Sequence, residues 1–381
     1  MRTRAAVLWD QPGEWKVQEI ELDEPGPTEV LVEMAATGLC HSDDHYSTGD
    51  MTARHLPVIG GHEGSGIVRQ VGAEVHDFEA GDHVLTSFVP ACGKCKWCAR
   101  GLQNLCDSGA RTQIGDQPRG RTRFRAHAGG SDIATMASLG TFAEWQVYDQ
   151  NSLVKVTDKA LSLNTICLVA CGVQTGFGSA TNAAEVRPGD VVLILGAGGV
   201  GMNAVQGASL NGAAHVVVVD PAPSKKTWAP QFGATEVFDN FAEADAFVKS
   251  VTNGQGADSA IVTIGVVKNE HIGQAYGAIR KAGTVVVTGV SAESESEPIP
   301  GLNAISIAMF QKRIQGALYG MGSPRDAMPE LLRLYAAGRL KLDELITKRY
   351  TLDDINQAYA DMRAGLNIRG VIDFMPPGGQ Q

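Results

Sequence analysis

The chain lacks an apolar run long enough to cross a membrane. Its densest apolar stretches, 191–195 and 216–219, fall far below the ~18 residues that a spanning helix needs. It lacks a signal-peptide core at its start, so a cytoplasmic location is expected. It lacks basic charge in excess: 32 Lys and Arg against 42 Asp and Glu give a net −10. That balance excludes phosphate-backbone binding as the main activity, and neither nucleic acid nor membrane is an expected partner. Internal repeats are absent. An even set of cysteines is absent too. Seven of them in a chain without a secretory signal argue against a disulfide framework. What is abundant is glycine, 45 residues with no collagen-like period, which implies many tight turns and close backbone approaches. A length of 381 residues allows two to three domains at about 150 residues each.

Three textures follow one another. Residues 1 to about 174 hold short β-like runs at 30–34, 66–71, 83–87 and 144–148. From about 175 to 315 strands and helices alternate. The run 191–195 suits a strand buried on both faces, a helix is expected over 200–211, and further strands at 216–219, 259–263 and 284–288. That rhythm predicts a parallel, doubly wound sheet, so the fold class is α/β. The remainder carries one amphipathic segment, 328–337, and a frayed end. Residues 291–300 read as a polar loop. The arginine-rich stretch 109–140 reads as an exposed insertion, or as a lid or subunit-contact loop.

Cys92, Cys95 and Cys98, with Cys106 eight residues on, have the spacing of a closed zinc knuckle. Four thiolates fill a tetrahedral ion and leave no position for chemistry, so this set is expected to hold structure. Unligated or redox-active cysteines, or an iron–sulfur cluster, are the other readings. Cys40, His62 and Cys171 lie far apart in sequence, each in a glycine-flanked or turn context. Two Cys and one His form a catalytic zinc set with its fourth position open. Spacing alone does not unite them. Cys167, amid apolar neighbours, reads as a buried inert thiol.

The strand 191–195 runs into Gly196, Gly198, Gly199 and Gly201 and then a helix start. The first glycine permits the turn, the second lets backbone approach a pyrophosphate, and the last lets the helix pack on the sheet. The helix N-terminus offers N–H groups to phosphate. Asp220, ending the next strand, can accept from both ribose hydroxyls and repels a 2′-phosphate, which favours NAD over NADP.

GLCHSDDH at 38–45, GGHEGSGIV at 60–68, the Cys92–Cys106 lobe, ACGVQTGFGSA at 170–180, GAGGVG at 196–201 and NIRGV at 367–371 together resemble the zinc-dependent medium-chain alcohol dehydrogenases. The match runs almost the full length, in order. The wording around 87–106 and 311–319 is most similar to the actinobacterial nicotinoprotein members, which use a nitroso-aniline acceptor. This resemblance implies a mostly β GroES-like catalytic domain, 1–174 with 316–381, and a Rossmann coenzyme domain, 175–315. It implies two zinc ions per chain, one catalytic on Cys40, His62 and Cys171 and one structural on the four-cysteine lobe. Asp43 and Glu63 would stand behind the catalytic ligands, Asp43 orienting His62. NAD would be held by Lys225 at the ribose, His41 and Arg369 at the pyrophosphate, and Thr175, Val200, Gly289, Val290, Ala317 and Tyr319 around the nicotinamide. His41 departs from the arginine that many relatives carry. Phe88 would line the substrate pocket.

The implied reaction interconverts small alcohols with aldehydes or ketones by hydride transfer to or from NAD, zinc polarising the alcohol oxygen. Ser42 would take the alcohol proton and pass it on to His45 near solvent. NAD would be tightly bound, with an external acceptor, if the nicotinoprotein likeness extends to behaviour. The alternatives are a thiol-dependent formaldehyde dehydrogenase or nitrosothiol reductase, and more remotely a non-catalytic coenzyme-binding protein. A homodimer or homotetramer, paired through an edge strand near 305–318, is also implied.

Overall fold

A computed structural model describes residues 1–112 and 126–376. Residues 113–125 of the arginine-rich stretch and the last five residues lie outside them. The chain divides into two compact units, Met1–Cys171 with Ser323–Gln381, and Gly172–Gly322.

The first unit is mostly β. Strands Arg2–Leu8, Trp15–Leu22, Ala126–Ala128, Ser131–Thr135 and Val58–Ile59 close a small barrel. Its core includes Val7, Leu8, Trp15, Ile59, Phe142 and Tyr359. Beside it lies a seven-stranded sheet whose hub is the strand Glu29–Gly38. Nine of that strand's ten residues are buried, so it reads as an apolar run without alternation. It pairs antiparallel with Glu63–Val71, Trp145–Asp149 and Arg369–Asp373. The register places Gly38 opposite both Glu63 and Val371. Cys40, His62 and Arg369, each within two residues of that row, therefore converge at one end of the sheet.

The helix His41–Thr48 follows immediately. Asp43 and Asp44 in its first turn suit the positive end of the helix dipole, and Gly49, at φ 86°, ends it. Its buried side chains are Asp43, Asp44 and His45.

The second unit is a six-stranded parallel sheet in the order Glu236–Phe238, His215–Val219, Val191–Leu195, Ala257–Val262, Ile279–Val287 and Arg313–Gly316. All five residues of Val191–Leu195 are buried, as their sequence predicts. The chain builds outward from this strand on one side and then returns to build on the other. Ligands of open α/β sheets bind at such a reversal, off the carboxyl ends of the strands. The glycine loop stands there and leads into the helix Gly199–Leu210. Among the described residues no helix is long and apolar enough to cross a membrane.

Candidate metal and coenzyme sites

The four cysteines of the lobe come together. Cys92 and Cys98 sulfurs lie 3.9 Å apart, as do those of Cys95 and Cys106, and all four fall within 4.8 Å of one another. Sulfurs about 2.3 Å from one tetrahedral ion stand about 3.8 Å from each other, so the quartet fits zinc. Backbone N–H groups support the sulfurs: Cys98 donates to Cys95 Sγ and Cys92 to Cys106 Sγ, each at 3.5 Å. Burial opposes ionisation of Cys95, and backbone N–H donors, that of Cys98 foremost, outweigh it, bringing the thiol down to about 6.

The second cluster gathers Cys40, His62, Glu63 and Cys171, their ligand atoms again within 4.8 Å. His62 is buried, and its Nδ1 lies 3.2 Å from Asp43 Oδ1. Asp43 in turn accepts the Gly61 N–H at 2.7 Å. With Nδ1 so engaged, Nε2 is the nitrogen left for an ion. Gly61 sits at φ 89° with a Cβ position 2.4 Å from Thr141 Oγ1, so glycine is required there. A hydrogen bond with Cys171 holds the Cys40 thiol well below its ordinary value, against burial and with help from His62. Thiolate and oriented imidazole are the donor set that zinc takes.

Glu63, expected behind the ligands, lies beside them and faces Arg369. Its carboxylate has an oxygen within 4.8 Å of the three ligand atoms and is fully buried and paired with the buried Arg369. Burial raises it to about 7 while Arg369 works against the rise. Arg369 also donates to the Leu39 carbonyl at 3.0 Å. Strand register explains the arrangement, since Glu63 lies directly across from Gly38.

Ser42 Oγ lies 3.6 Å from Cys40 Sγ. Phe88 sets its ring edge-on to His62, centroids 5.8 Å apart. His41 is exposed, its ring centroid 6.3 Å from that of His45. His45 corrects the expectation of a residue near solvent. Its side chain is only 3% exposed, and its Nδ1 meets Asp50 Oδ2 at 3.4 Å. The inward-facing side of the helix His41–Thr48 is polar and carries this ring with it. Cys167 is buried, its thiol pushed up by burial.

In the second unit Gly196 takes φ 95° and Gly201 touches it so closely that a Cβ would lie 1.9 Å from the Gly196 carbonyl. A Cβ at Gly198 would meet nothing within 4 Å, so this is open space against the helix start. Thr263 Oγ1 donates to the Gly196 carbonyl at 2.8 Å and fixes the loop. Asp220 accepts from Ala197 N at one oxygen and Ala222 N at the other, 2.8 and 2.9 Å, which fixes the plane of its carboxylate. Lys225 is buried with its Nζ 4.9 Å from the Trp228 ring centroid. Burial lowers it and Asp220 opposes that. The cradle at Gly198, the helix start and the oriented acid fit a dinucleotide. Thr175, Val200 and Gly289 are half-buried, Val290 exposed, and Ala317 and Tyr319 buried.

Tyr319, Gly320 and Met321 all take left-handed backbone, φ 58°, 63° and 56°. Gln174 Nε2 donates to the carbonyls of Tyr319 and Gly322, and Asn182 Nδ2 to that of Gly320. Two non-glycine residues held this way store about 1–3 kcal/mol each. Among the described residues Gln174 Oε1 is a buried acceptor without a partner. Gln174, Asn182 and Thr263 are lone polar residues in apolar or loop contexts, so no sequence pattern marks them.

Residues 26–158 match the family model for the alcohol dehydrogenase GroES-like domain, and residues 199–337 match that for the zinc-binding dehydrogenase. The chain is 46% identical to an NDMA-dependent alcohol dehydrogenase of Amycolatopsis methanolica, over 98% of this chain and 99% of that one. It is 36% identical to an S-(hydroxymethyl)glutathione dehydrogenase of Komagataella pastoris, over 98% and 97%. The crystal structure of benzyl alcohol dehydrogenase from Acinetobacter calcoaceticus superposes with a TM-score of 0.86 at 30% identity, covering 98% and 99%.

Proposed function

This chain belongs to the zinc-dependent medium-chain alcohol dehydrogenases, and from that premise we propose how its residues carry out the reaction. The observation that carries the proposal is the buried cluster of Cys40, His62 and Cys171, with Asp43 on the far nitrogen of His62. Zinc bound there supplies a Lewis acid that polarises the alcohol oxygen and eases its deprotonation. The four-cysteine lobe holds a second zinc and stiffens its own loop. Phe88 gives the substrate an apolar edge beside His62. The hydroxyl of Ser42, next to Cys40, receives the alcohol proton and hands it on toward His45.

NAD is the hydride acceptor, held in the second unit by the loop Gly196–Gly201, with its adenosine ribose on Asp220 and Lys225. The first unit thus serves catalysis and the second the coenzyme. The likeness to an NDMA-dependent enzyme over the whole length supports NAD that stays bound between turnovers, with an external acceptor reoxidising it. Gln174 and the left-handed turn it fastens support this too, because a pre-formed, rigid turn lowers the ordering cost of holding the nicotinamide. A thiol-dependent reading would take its thiol-carboxylate contact from the arginine-rich stretch 109–140, whose residues 113–125 lie outside the described residues. A homodimer or homotetramer is supported by the edge strand Arg313–Gly316, whose four residues are all exposed, and by the adjoining helix Ala304–Phe310, which exposes Ile305, Ile307, Met309 and Phe310.

Metal analysis of purified protein and two variants tests the zinc assignment. Two zinc ions per chain are expected in the native protein. Cys171→Ser is expected to keep one and lose alcohol oxidation. A native protein with no zinc, yet full alcohol oxidation, overturns the reading.

A further inference from the structure

His62 is oriented by Asp43, and only half of the Asp43 carboxylate is held. Both of its oxygens lie 3.2 Å from His62 Nδ1, and Oδ1 is the one aligned to accept from it. Oδ1 also takes the Gly61 N–H at 2.7 Å. Oδ2 is buried and accepts from no donor among the described residues. The hydroxyl of Tyr359 is buried too and likewise has no partner there. We propose that Tyr359 is a positioning residue for the catalytic zinc: its hydroxyl donates across one buried water to Asp43 Oδ2 and fixes the carboxylate that orients His62. The proposal rests on the zinc reading above and deepens it.

The fold brings the two groups to one place by two routes. Tyr359 belongs to the helix Ile355–Arg363, and Arg363 stands one turn further on along the same face. Arg363 binds Asp44, the neighbour of Asp43, at 2.6 Å and so seats this helix against His41–Thr48. From the other side, Gly61, which donates to Asp43, packs on Phe142: a Cβ there would lie 2.5 Å from the Phe142 ring. The Phe142 ring in turn meets that of Tyr359, centroids 6.3 Å apart. Burial raises the Tyr359 hydroxyl well above its ordinary value, and Asp43 is foremost among the charges that add to the rise. The hydroxyl therefore stays protonated and able to donate.

Packing alone does not ask for a hydroxyl here. Phenylalanine would fill the same space in this core and strand no polar atom. A buried tyrosine hydroxyl ordinarily finds a partner, and a bare carboxylate oxygen is the costlier orphan of the two. No direct hydrogen bond joins them, and a water with polar groups on both sides is the ordinary way to satisfy such a pair. The water takes the hydroxyl hydrogen on its own oxygen and gives one of its hydrogens to Oδ2. Trp15 Nε1, orphaned in the same core, is a donor only and cannot take the hydroxyl hydrogen in place of that water. The bond to Oδ2 is charge-assisted, hence short and strong. A carboxylate pinned at both oxygens no longer swings about its Cβ–Cγ bond, so the imidazole keeps one plane and turns Nε2 toward the ion.

Tyr359→Phe removes the hydroxyl and little else, and the zinc of the four-cysteine lobe is the internal control. In chelator competition on the purified protein, the catalytic zinc of this variant is expected to be held about three- to tenfold more weakly, at or below the low end of the loss expected for Asp43→Asn, with the lobe zinc held as before. With cobalt exchanged into the catalytic site, the visible absorption bands are expected to shift, as a reoriented imidazole requires. The double variant Asp43→Asn with Tyr359→Phe is expected to hold zinc no more weakly than Asp43→Asn alone, because the hydroxyl acts through that carboxylate. Native zinc retention and native cobalt bands in Tyr359→Phe overturn the proposal and leave the zinc site standing. A double variant whose loss is the product of the two single losses overturns it as well, since Tyr359 then acts by another route. A native protein without zinc overturns the site reading and the proposal with it.

Discussion

At the scale of single residues, the chemistry depends on which atom each side chain has left over after its structural partner is served. His62 spends Nδ1 on Asp43, so Asp43→Asn is expected to weaken zinc binding about 10–100-fold through a disordered ring. Competition with a chelator reads this directly. Ser42→Ala is expected to lower turnover by orders of magnitude with zinc and coenzyme content unchanged, and an undiminished rate would remove Ser42 from the proton path. Cys40, His62 and Cys171 were united in the sequence only by the family resemblance, since their spacing leaves them apart. The pairing of Glu63 with Arg369 and the burial of His45 left no sign there. Those positions follow from the Gly38–Glu63 pairing and from the polar underside of one helix, and neither leaves a periodic trace.

Elements set how firmly those residues are held. The strand Val191–Leu195 was legible, since five successive apolar residues bounded by Asp190 and Gly196 admit few other readings. The helix His41–Thr48 was not, for its buried positions are Asp43, Asp44 and His45 and no apolar stripe marks it. In the glycine loop, Gly201→Ala would thrust a methyl into the Gly196 carbonyl. The expected outcome is loss of NAD from the purified protein with zinc retained, measured on denatured samples.

The strand Ile346–Tyr350 and the helix Ile355–Arg363 are joined through Asp361, which accepts from Lys348, Tyr350 and Gln357. Lys348 foremost, then Tyr350 and Gln357, bring its carboxyl down to about 2. A folded value below the unfolded ~3.9 means that the stabilisation is complete above pH ~4 and is lost as pH falls toward the folded value. Urea midpoints are expected to fall more steeply between those limits in the native protein than in Asp361→Asn. Equal slopes would mean the three contacts leave the folded carboxyl no more acidic than the unfolded one.

For the whole molecule, six motifs in the right order along one chain carried more than any of them alone, which is why family and fold class were readable from sequence. Subunit pairing was legible only as an expectation near 305–318. The exposed Ile305 and Met309 now give it a face, 75% and 73% accessible in the single chain. Met309→Lys is expected to shift the protein to monomer by sedimentation, and an unchanged oligomer would move the interface elsewhere.

The central claim is that this chain oxidises an alcohol at the Cys40–His62–Cys171 site and passes the hydride to an NAD it already holds. The direct measurement is the absorbance spectrum of freshly purified protein before and after an alcohol is added, with no coenzyme supplied. The account predicts the near-ultraviolet band of reduced nicotinamide, appearing on addition, persisting through gel filtration, and vanishing when a nitroso-aniline acceptor follows. A flat spectrum, with turnover restored by free NAD, would contradict it and show a coenzyme that comes and goes with each cycle.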